Sequence, residues 1–108
     1  MGGMPGGWLP YGYVVQGEGT SAKPAIEEAG RAIVRRVFRD YARGASMKSI
    51  ADTLNRQQVP TARGGRWAQA TVRAILTNDF YLGATAEPII STRQFQTCQR
   101  RMAKARKR

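Results

Sequence analysis

The stretch that decides the fold spans residues 46–77 and reads SMKSIADTLNRQQVPTARGGRWAQATVRAILT. Ser46 is a favourable helix N-cap, and the apolar residues that follow it recur at helical spacing. These are Met47, Ile50, Ala51 and Leu54. The resulting helix is predicted to end within residues 55–60, because Pro60 disfavours helical backbone at the residue before it. A second helix is predicted over residues 68–77, so the stretch has the order helix, loop, helix.

The helix predicted over residues 68–77 has two chemically different faces. The apolar face, which is expected to lie in the core with Trp67 at its start, consists of Val72, Ile75 and Leu76. The opposite face consists of Gln69, Ala70, Arg73 and Thr77. Glutamine and arginine pair bidentately with adenine and guanine edges in the major groove, which is about 12 Å wide and admits one helix. The polar face is therefore predicted to read base pairs, with Thr71 and Thr77 on phosphate or a thymine methyl group.

The loop between the two helices carries paired glycines flanked by arginines, in the order Arg63, Gly64, Gly65, Arg66. Glycine lets the backbone approach another molecule closely. These four residues complete the predicted DNA-binding set. The loop is longer than the turn of about 3 to 4 residues that is usual in a helix-turn-helix, so the motif is a variant of it.

Two further helices are predicted on either side of this stretch. The first is predicted to begin at Pro24, because proline suits the first helical turn, and to end at Gly44, a favourable C′ residue. Its apolar face is Ile26, Ala29, Ile33, Val37, Phe38 and Tyr41, and its other face holds Arg31, Arg35, Arg36, Arg39 and Arg43. The last helix is predicted to begin near Thr92, after a capping box formed by Ser91 and Gln94.

Together these elements predict a mainly α fold, a compact three-helix, helix-turn-helix-like DNA-binding domain with a short β element and a C-terminal helix. Residues 1–23 are rich in glycine and proline and are interpreted as an extended arm, in which residues 11–15 form one short strand. Residues 24–90 are expected to form the helical domain, and residues 91–108 a basic C-terminal helix.

The charge balance indicates an anionic partner. There are 18 lysines and arginines against 7 aspartates and glutamates, a net charge of +11, and such an excess repels itself in the folded state. Double-stranded DNA is the predicted partner, either in site-specific recombination or as the target of a stand-alone regulator, and an RNA- or ribosome-binding protein is the remaining alternative. The arginines of the first helix and the six positive charges of residues 100–108 either contact DNA or are solvated, and the sequence leaves both open.

Other classes of function lack the residues that they need. One cysteine and no histidine exclude an internal disulfide and a zinc site built from cysteine and histidine, so no metal or cofactor is predicted. No apolar run approaches the roughly 18 to 20 residues of a membrane span and no signal peptide is visible, so a cytoplasmic location without a membrane partner is expected. Ser46 and Ser91 are interpreted as helix caps rather than nucleophiles, because no histidine exists to activate them. Cys98 is interpreted as a small core residue.

Several motifs occur in an order typical of one protein family. They are IVRRVF, ARGAS, IADTLN, VPTARGGRW, TVRAIL and NDFYLG, with PYGY upstream and PIISTRQF downstream. In these motifs the chain resembles the recombinase domain of the large serine recombinases, the phage integrases and transposon resolvases that recombine DNA at specific sites. PYGY resembles the entry strand of that domain, and PIISTRQF resembles the segment that leads toward its zinc ribbon. The resemblance covers about residues 10–100.

The resemblance implies a mostly helical domain that reads DNA through a helix in the major groove, here residues 68–77, with Arg63 and Arg66 on phosphates. It also implies that the catalytic serine belongs to a separate N-terminal resolvase domain, which, like the zinc ribbon, is not in this sequence. The chain is therefore expected to be a recombinase fragment without catalytic residues, monomeric by itself and oligomeric within a full-length recombinase. Ala68 stands where many relatives carry serine or threonine, which weakens the helix start by about 1 kcal/mol.

Overall fold

Four helices and a small β-hairpin make up the structure, a computed structural model that describes residues 10–21, 23–61, 65–83 and 88–106. The strands are β1 (Tyr13–Gln16) and β2 (Lys23–Ile26), and the helices are α1 (Glu28–Ala42), α2 (Met47–Arg56), α3 (Gln69–Leu76) and α4 (Thr92–Arg106). Short 3-10 turns occupy Gly19–Ser21 and Asp79–Leu82. The mainly α fold with a short β element is confirmed.

The prediction for the start of the first helix was wrong. Pro24 does not open the helix but lies in β2, where it pairs antiparallel with Val15. Helix α1 begins four residues later, because Glu27 acts as its N-cap and its Oε1 accepts a hydrogen bond of 2.7 Å from the Gly30 amide. The local preference of proline places residues 24–26 in the helix, but they form a strand that pairs with β1.

The described part of the predicted arm, residues 10–21, folds back on the helices instead of extending. Tyr13 is only 6% exposed, and the hydroxyl of Tyr81 donates a hydrogen bond of 2.7 Å to the carbonyl of Tyr11. The ring of Tyr13 stacks on that of Tyr81 with the centroids 5.9 Å apart. Aromatic pairs of this kind add to area burial, so the hairpin is part of the core. The first nine residues of the predicted arm lie outside the described residues.

Two glycines let the hairpin contact α1 at close range. Gly12 adopts a φ of +98°, and a Cβ added at Gly30 would lie 2.7 Å from the Gly12 Cα atom and 2.8 Å from Glu27 Oε1. Backbone approaches this close require a residue without a side chain.

Substitution Gly30→Ala is therefore expected to destabilise the fold by about 1–3 kcal/mol, the usual cost of overpacking. The sign is diagnostic, because alanine in an unobstructed helix would instead stabilise it by about 1 kcal/mol. Urea unfolding followed by circular dichroism measures the difference. An unchanged or raised midpoint would show that the hairpin does not contact α1 as described.

The hydrophobic core lies where α1 meets the other helices. Its fully buried members are Val34, Val37, Phe38, Leu54, Val72, Leu76, Tyr81 and Cys98. The interpretation of Cys98 as a core residue is confirmed, because its Sγ lies 3.4 Å from the carbonyl oxygen of Phe38. Burial raises the pKa of this thiol to about 11, so the reactive thiolate is scarce at neutral pH.

The ends of the helices follow local sequence signals closely. Ser46 Oγ accepts from the Ser49 amide at 3.0 Å, and Ser91 Oγ accepts from the Gln94 amide at 3.1 Å, as predicted for both caps. Gly44, at φ +117°, lies two residues after the end of α1. Gln58, two residues after the end of α2, adopts the same left-handed region at φ +60°, where glycine is usually found. No helix within the described ranges is long and apolar enough to span a bilayer.

Candidate nucleic-acid interface

Helix α3 turns one face to the core and the other to solvent. Val72, Ile75 and Leu76 are at most 4% exposed, whereas the predicted polar residues Gln69, Ala70, Arg73 and Thr77 are all exposed. Thr71 lies at the edge and is half-buried. Ala74, which sequence reasoning did not single out, is exposed on the same side as Ala70. Two small side chains thus separate the polar ones, and the helix backbone is accessible to a partner.

The start of α3 is fixed by Trp67, which is 3% exposed. The side-chain amide of Asn55 forms two hydrogen bonds with the backbone of Trp67, accepting from its N–H at 2.7 Å and donating to its carbonyl at 2.9 Å. The indole Nε1 donates to the carbonyl of Val59 at 2.9 Å. These three bonds tie Trp67, two residues before α3, to α2 and to the intervening loop.

The hairpin supports the same loop from the other side. The Tyr11 hydroxyl donates to the carbonyl of Pro60 at 3.1 Å, and its ring meets that of Trp67 edge to face with the centroids 5.2 Å apart. Burial, together with the negative charge of Glu27, raises the pKa of the Tyr11 hydroxyl. The hydroxyl therefore remains a neutral donor in the physiological pH range.

The end of α3 is anchored by α4. Gln99 Nε2 donates to the carbonyl of Leu76 at 2.6 Å, which satisfies one of the backbone acceptors that a helix leaves unpaired at its end. Sequence reasoning missed both Asn55 and Gln99. Their amides bond to backbone 12 and 23 residues away, and no periodicity signals such contacts.

The amino-terminal end of α3 is electropositive. Ala68, at the N-cap, provides no side-chain hydrogen bond, and the first turn contains no acidic residue. The amides of the first turn and the helix dipole favour an anion at such an end. Gly65 and Arg66 are exposed just before it, and Thr61 Oγ1 donates to the carbonyl of Gly65 at 3.2 Å. Arg63 and Gly64, which belong to the predicted set, lie outside the described residues.

Comparison with known protein families shows which family the chain belongs to. Residues 28–105 match the family model described as Recombinase. The chain belongs to the recombinase family. The match covers α1 to α4 almost completely, and the resemblance of the sequence motifs to the recombinase domain of large serine recombinases is confirmed.

Solved structures show the same fold as this recombinase domain. One is a crystal structure of an LSR–DNA complex, with a TM-score of 0.68 and 22% identity over 86% of this chain and 31% of that one. Another comes from work on the sequence requirements of the Listeria innocua prophage attP site, with a TM-score of 0.69 and 22% identity over 86% of this chain and 41% of that one. The recombinase domain thus spans less than half of the length of either protein.

Many arginines of the recombinase domain already contact groups of the chain itself. In α1, Arg31 pairs with Glu28 at 3.0 Å, Arg39 pairs with Asp40 at 3.2 Å, and Arg35 donates to the carbonyl of Ile89 at 2.9 Å.

No cluster of three or more histidine, cysteine or acidic side chains suited to a metal ion occurs among the residues described.

Arg101 has a structural role that its place in the basic C-terminal segment does not reveal. Its guanidinium donates to the carbonyls of Tyr41, Gly44 and Ala45 at 2.7 to 2.9 Å. It also lies over the ring of Tyr41, 4.1 Å from the centroid, in a cation–π contact. Arg101 therefore fixes the junction between α1 and α2. From the sequence alone, Arg101 is one of six positive charges in residues 100–108 that either contact DNA or are solvated.

Proposed function

We propose that this recombinase domain binds double-stranded DNA in site-specific recombination, with α3 in the major groove. The observation that carries the proposal is the exposed polar face of a helix whose two ends are both anchored, by Asn55 and Trp67 at the start and by Gln99 at the end. Base recognition needs side chains held in fixed positions, and this anchoring meets that need. The likeness to a protein solved in an LSR–DNA complex supports the proposal.

On α3, Gln69 and Arg73 are assigned to base edges, glutamine to adenine and arginine to guanine. Ala70 and Ala74 allow the helix to approach the bases. Thr77 donates its hydroxyl proton to the carbonyl of Arg73 at 2.9 Å. A hydroxyl has one donor, so Thr77 presents its methyl group to a thymine methyl rather than a donor to phosphate.

Phosphate contacts are assigned to the loop and to the start of α3. Gly65 and Arg66 are exposed there, beside the uncapped end of the helix. Arg63 and Gly64 are included on the sequence pattern alone, and half-buried Thr71 is placed at the edge of this surface. Such contacts set the register of a protein on DNA without reading its sequence.

Single-stranded RNA fits this surface less well. Proteins that bind single strands stack the bases on exposed aromatic rings. Trp67 is 3% exposed, and the one large hydrophobic residue exposed in the described ranges is Val14 of the hairpin. In the part of the chain that the structure describes, the surface around α3 thus offers charge and hydrogen bonding but no stacking platform.

We assign the activities of a full-length recombinase to separate domains. The solved relatives are more than twice as long as the segment that this chain matches. We assign the reading of an attachment site to this domain, and the breaking and joining of DNA strands to a separate catalytic domain of a full-length recombinase. This domain would bind DNA as a monomer, whereas the full-length protein would assemble as an oligomer.

Substitution Arg73→Ala tests the reading helix. A preferred duplex is first selected from a random-sequence pool with the wild-type chain, and affinities are then measured by fluorescence anisotropy. The variant is expected to bind the selected duplex roughly 10- to 100-fold more weakly, from the 1–3 kcal/mol of one bidentate contact, and to bind random duplexes almost as before. Arg66→Ala is the matched control, which is expected to weaken both duplexes alike. Equal losses on both duplexes for Arg73→Ala would refute its role in reading bases.

A further inference from the structure

A cleft of about 510 Å³ lies between α1 and the segment that begins α4. Its α1 wall consists of Ala32, Arg35, Arg36 and Arg39, and the facing wall includes Ser91 and Gln94 at the start of α4. The cleft is shallow and open to solvent, which suits a side chain of a protein partner better than an enclosed small molecule.

The cleft is strongly positive. Among the residues that the structure describes, three arginines and no carboxylate line it. The neighbouring carboxylate of Asp40 is shared, 3.2 Å from Arg39 Nε and 3.9 Å from Arg36 Nε, so one negative charge faces two guanidinium groups. The amino-terminal end of α4 adds the positive end of a helix dipole to the same wall.

The arginines are also partly held in place before any ligand binds. Arg35 Nε donates to the carbonyl of Ile89 at 2.9 Å, which joins the two walls of the cleft. That bond uses one of the five N–H donors of the guanidinium. The Arg36 side chain is 26% exposed, against 52% for Arg39. A partly buried charge attracts an opposite charge more strongly than a fully solvated one does.

The cleft and the polar face of α3 are formed by different residues on different elements. The α1 residues of the cleft lie on the helix face opposite to Val34, Val37 and Phe38, which point into the core. The buried face of α3 contacts this same core from within.

We propose that this cleft binds an acidic peptide segment of a partner protein, with carboxylates of the partner on Arg35, Arg36 and Arg39. Arginine forms bidentate pairs with carboxylates and is enriched at protein interfaces. The methyl group of Ala32 and the aliphatic stems of the arginines provide apolar contacts for a side chain that enters the cleft. A single nucleic-acid strand stacks its bases on aromatic rings, and none lines the cleft among the residues described. The proposal goes beyond DNA reading and concerns a separate surface.

The test selects binders for the full chain from a library of random dodecapeptides displayed on phage. Peptides rich in aspartate and glutamate are expected to be enriched, and to shift the backbone amide signals of Ser91 and Gln94 in NMR titrations. The double variant R36Q/R39Q is expected to bind them at least tenfold more weakly. The matched control R43Q/R100Q removes the same charge at exposed arginines outside the cleft and is expected to change the affinity less than twofold. Thermal unfolding of both variants confirms that they are folded.

Three results would overturn the proposal. The first is a selection without acidic enrichment. The second is an equal loss of affinity in both double variants, which would show attraction by net charge alone. The third is a loss of duplex DNA affinity in R36Q/R39Q as large as its loss of peptide affinity, which would make the cleft a DNA contact. DNA reading by α3 is measured separately through Arg73→Ala, so the failure of one proposal does not decide the other.

Discussion

Substitution Trp67→Ala is expected to lower the free energy of unfolding by about 3–5 kcal/mol, the usual cost of truncating a buried tryptophan. The side chain is 3% exposed, and its indole Nε1 is bonded to the carbonyl of Val59. Its removal takes the donor from that half-buried acceptor and removes the edge contact with Tyr11. Small domains are stable by only about 5–15 kcal/mol, so a large fraction of that stability is at stake.

The variant Trp67→Phe separates packing from hydrogen bonding. It keeps most of the buried area and loses the Nε1 donor, so a smaller cost of about 1–3 kcal/mol is expected. Urea unfolding followed by circular dichroism measures both variants, with Arg66→Ala as an exposed neighbour that should stay within about 0.5 kcal/mol of the wild type. A cost below about 1 kcal/mol for Trp67→Ala would mean that the start of α3 is not anchored by this residue.

The affinity for duplex DNA is expected to fall by about 10³ between 50 and 200 mM salt. This follows if about six phosphates are neutralised, because the slope of log K against log salt is then near −5 for a duplex. With a net charge of +11, the release of counterions from the duplex supplies most of the affinity for nonspecific DNA. Fluorescence anisotropy across a salt series gives the slope.

The matched variant in this series is Arg66→Ala. Loss of one phosphate contact is expected to reduce the magnitude of the slope by about one, whereas Arg31→Gln, at a residue paired with Glu28, should leave the slope unchanged. A flat slope for the wild-type chain would contradict phosphate binding altogether.

The elements that the sequence predicted well are those whose signals are local. Ser46 and Ser91 cap helices as expected, and Gly44 ends α1. The two faces of α3 follow from the sequence, because its apolar residues recur at helical spacing and therefore lie on one side of the helix. The exposure of Gln69 and Arg73 was therefore predictable.

The remainder depends on contacts between distant parts of the chain. Proline favours a helix start at Pro24, but antiparallel pairing with β1 overrides that preference. The bond from the Tyr81 hydroxyl to the carbonyl of Tyr11 joins residues 70 positions apart, so the core position of the hairpin could not be read from a window of sequence. The hydrogen bonds of the Asn55 and Gln99 side-chain amides also join residues that are distant in the sequence.

The three carbonyls bound by Arg101 change how a mutational scan of this domain is to be interpreted. In a scan that replaces each basic residue and records DNA binding, Arg101→Ala would count as a DNA contact, because freeing the carbonyls of Tyr41, Gly44 and Ala45 disturbs the turn that orients α2. Helix α2 carries Asn55, and Asn55 holds the start of α3. Loss of binding at this position would therefore report a displaced reading helix, and only a parallel measurement of unfolding distinguishes it from a lost phosphate contact.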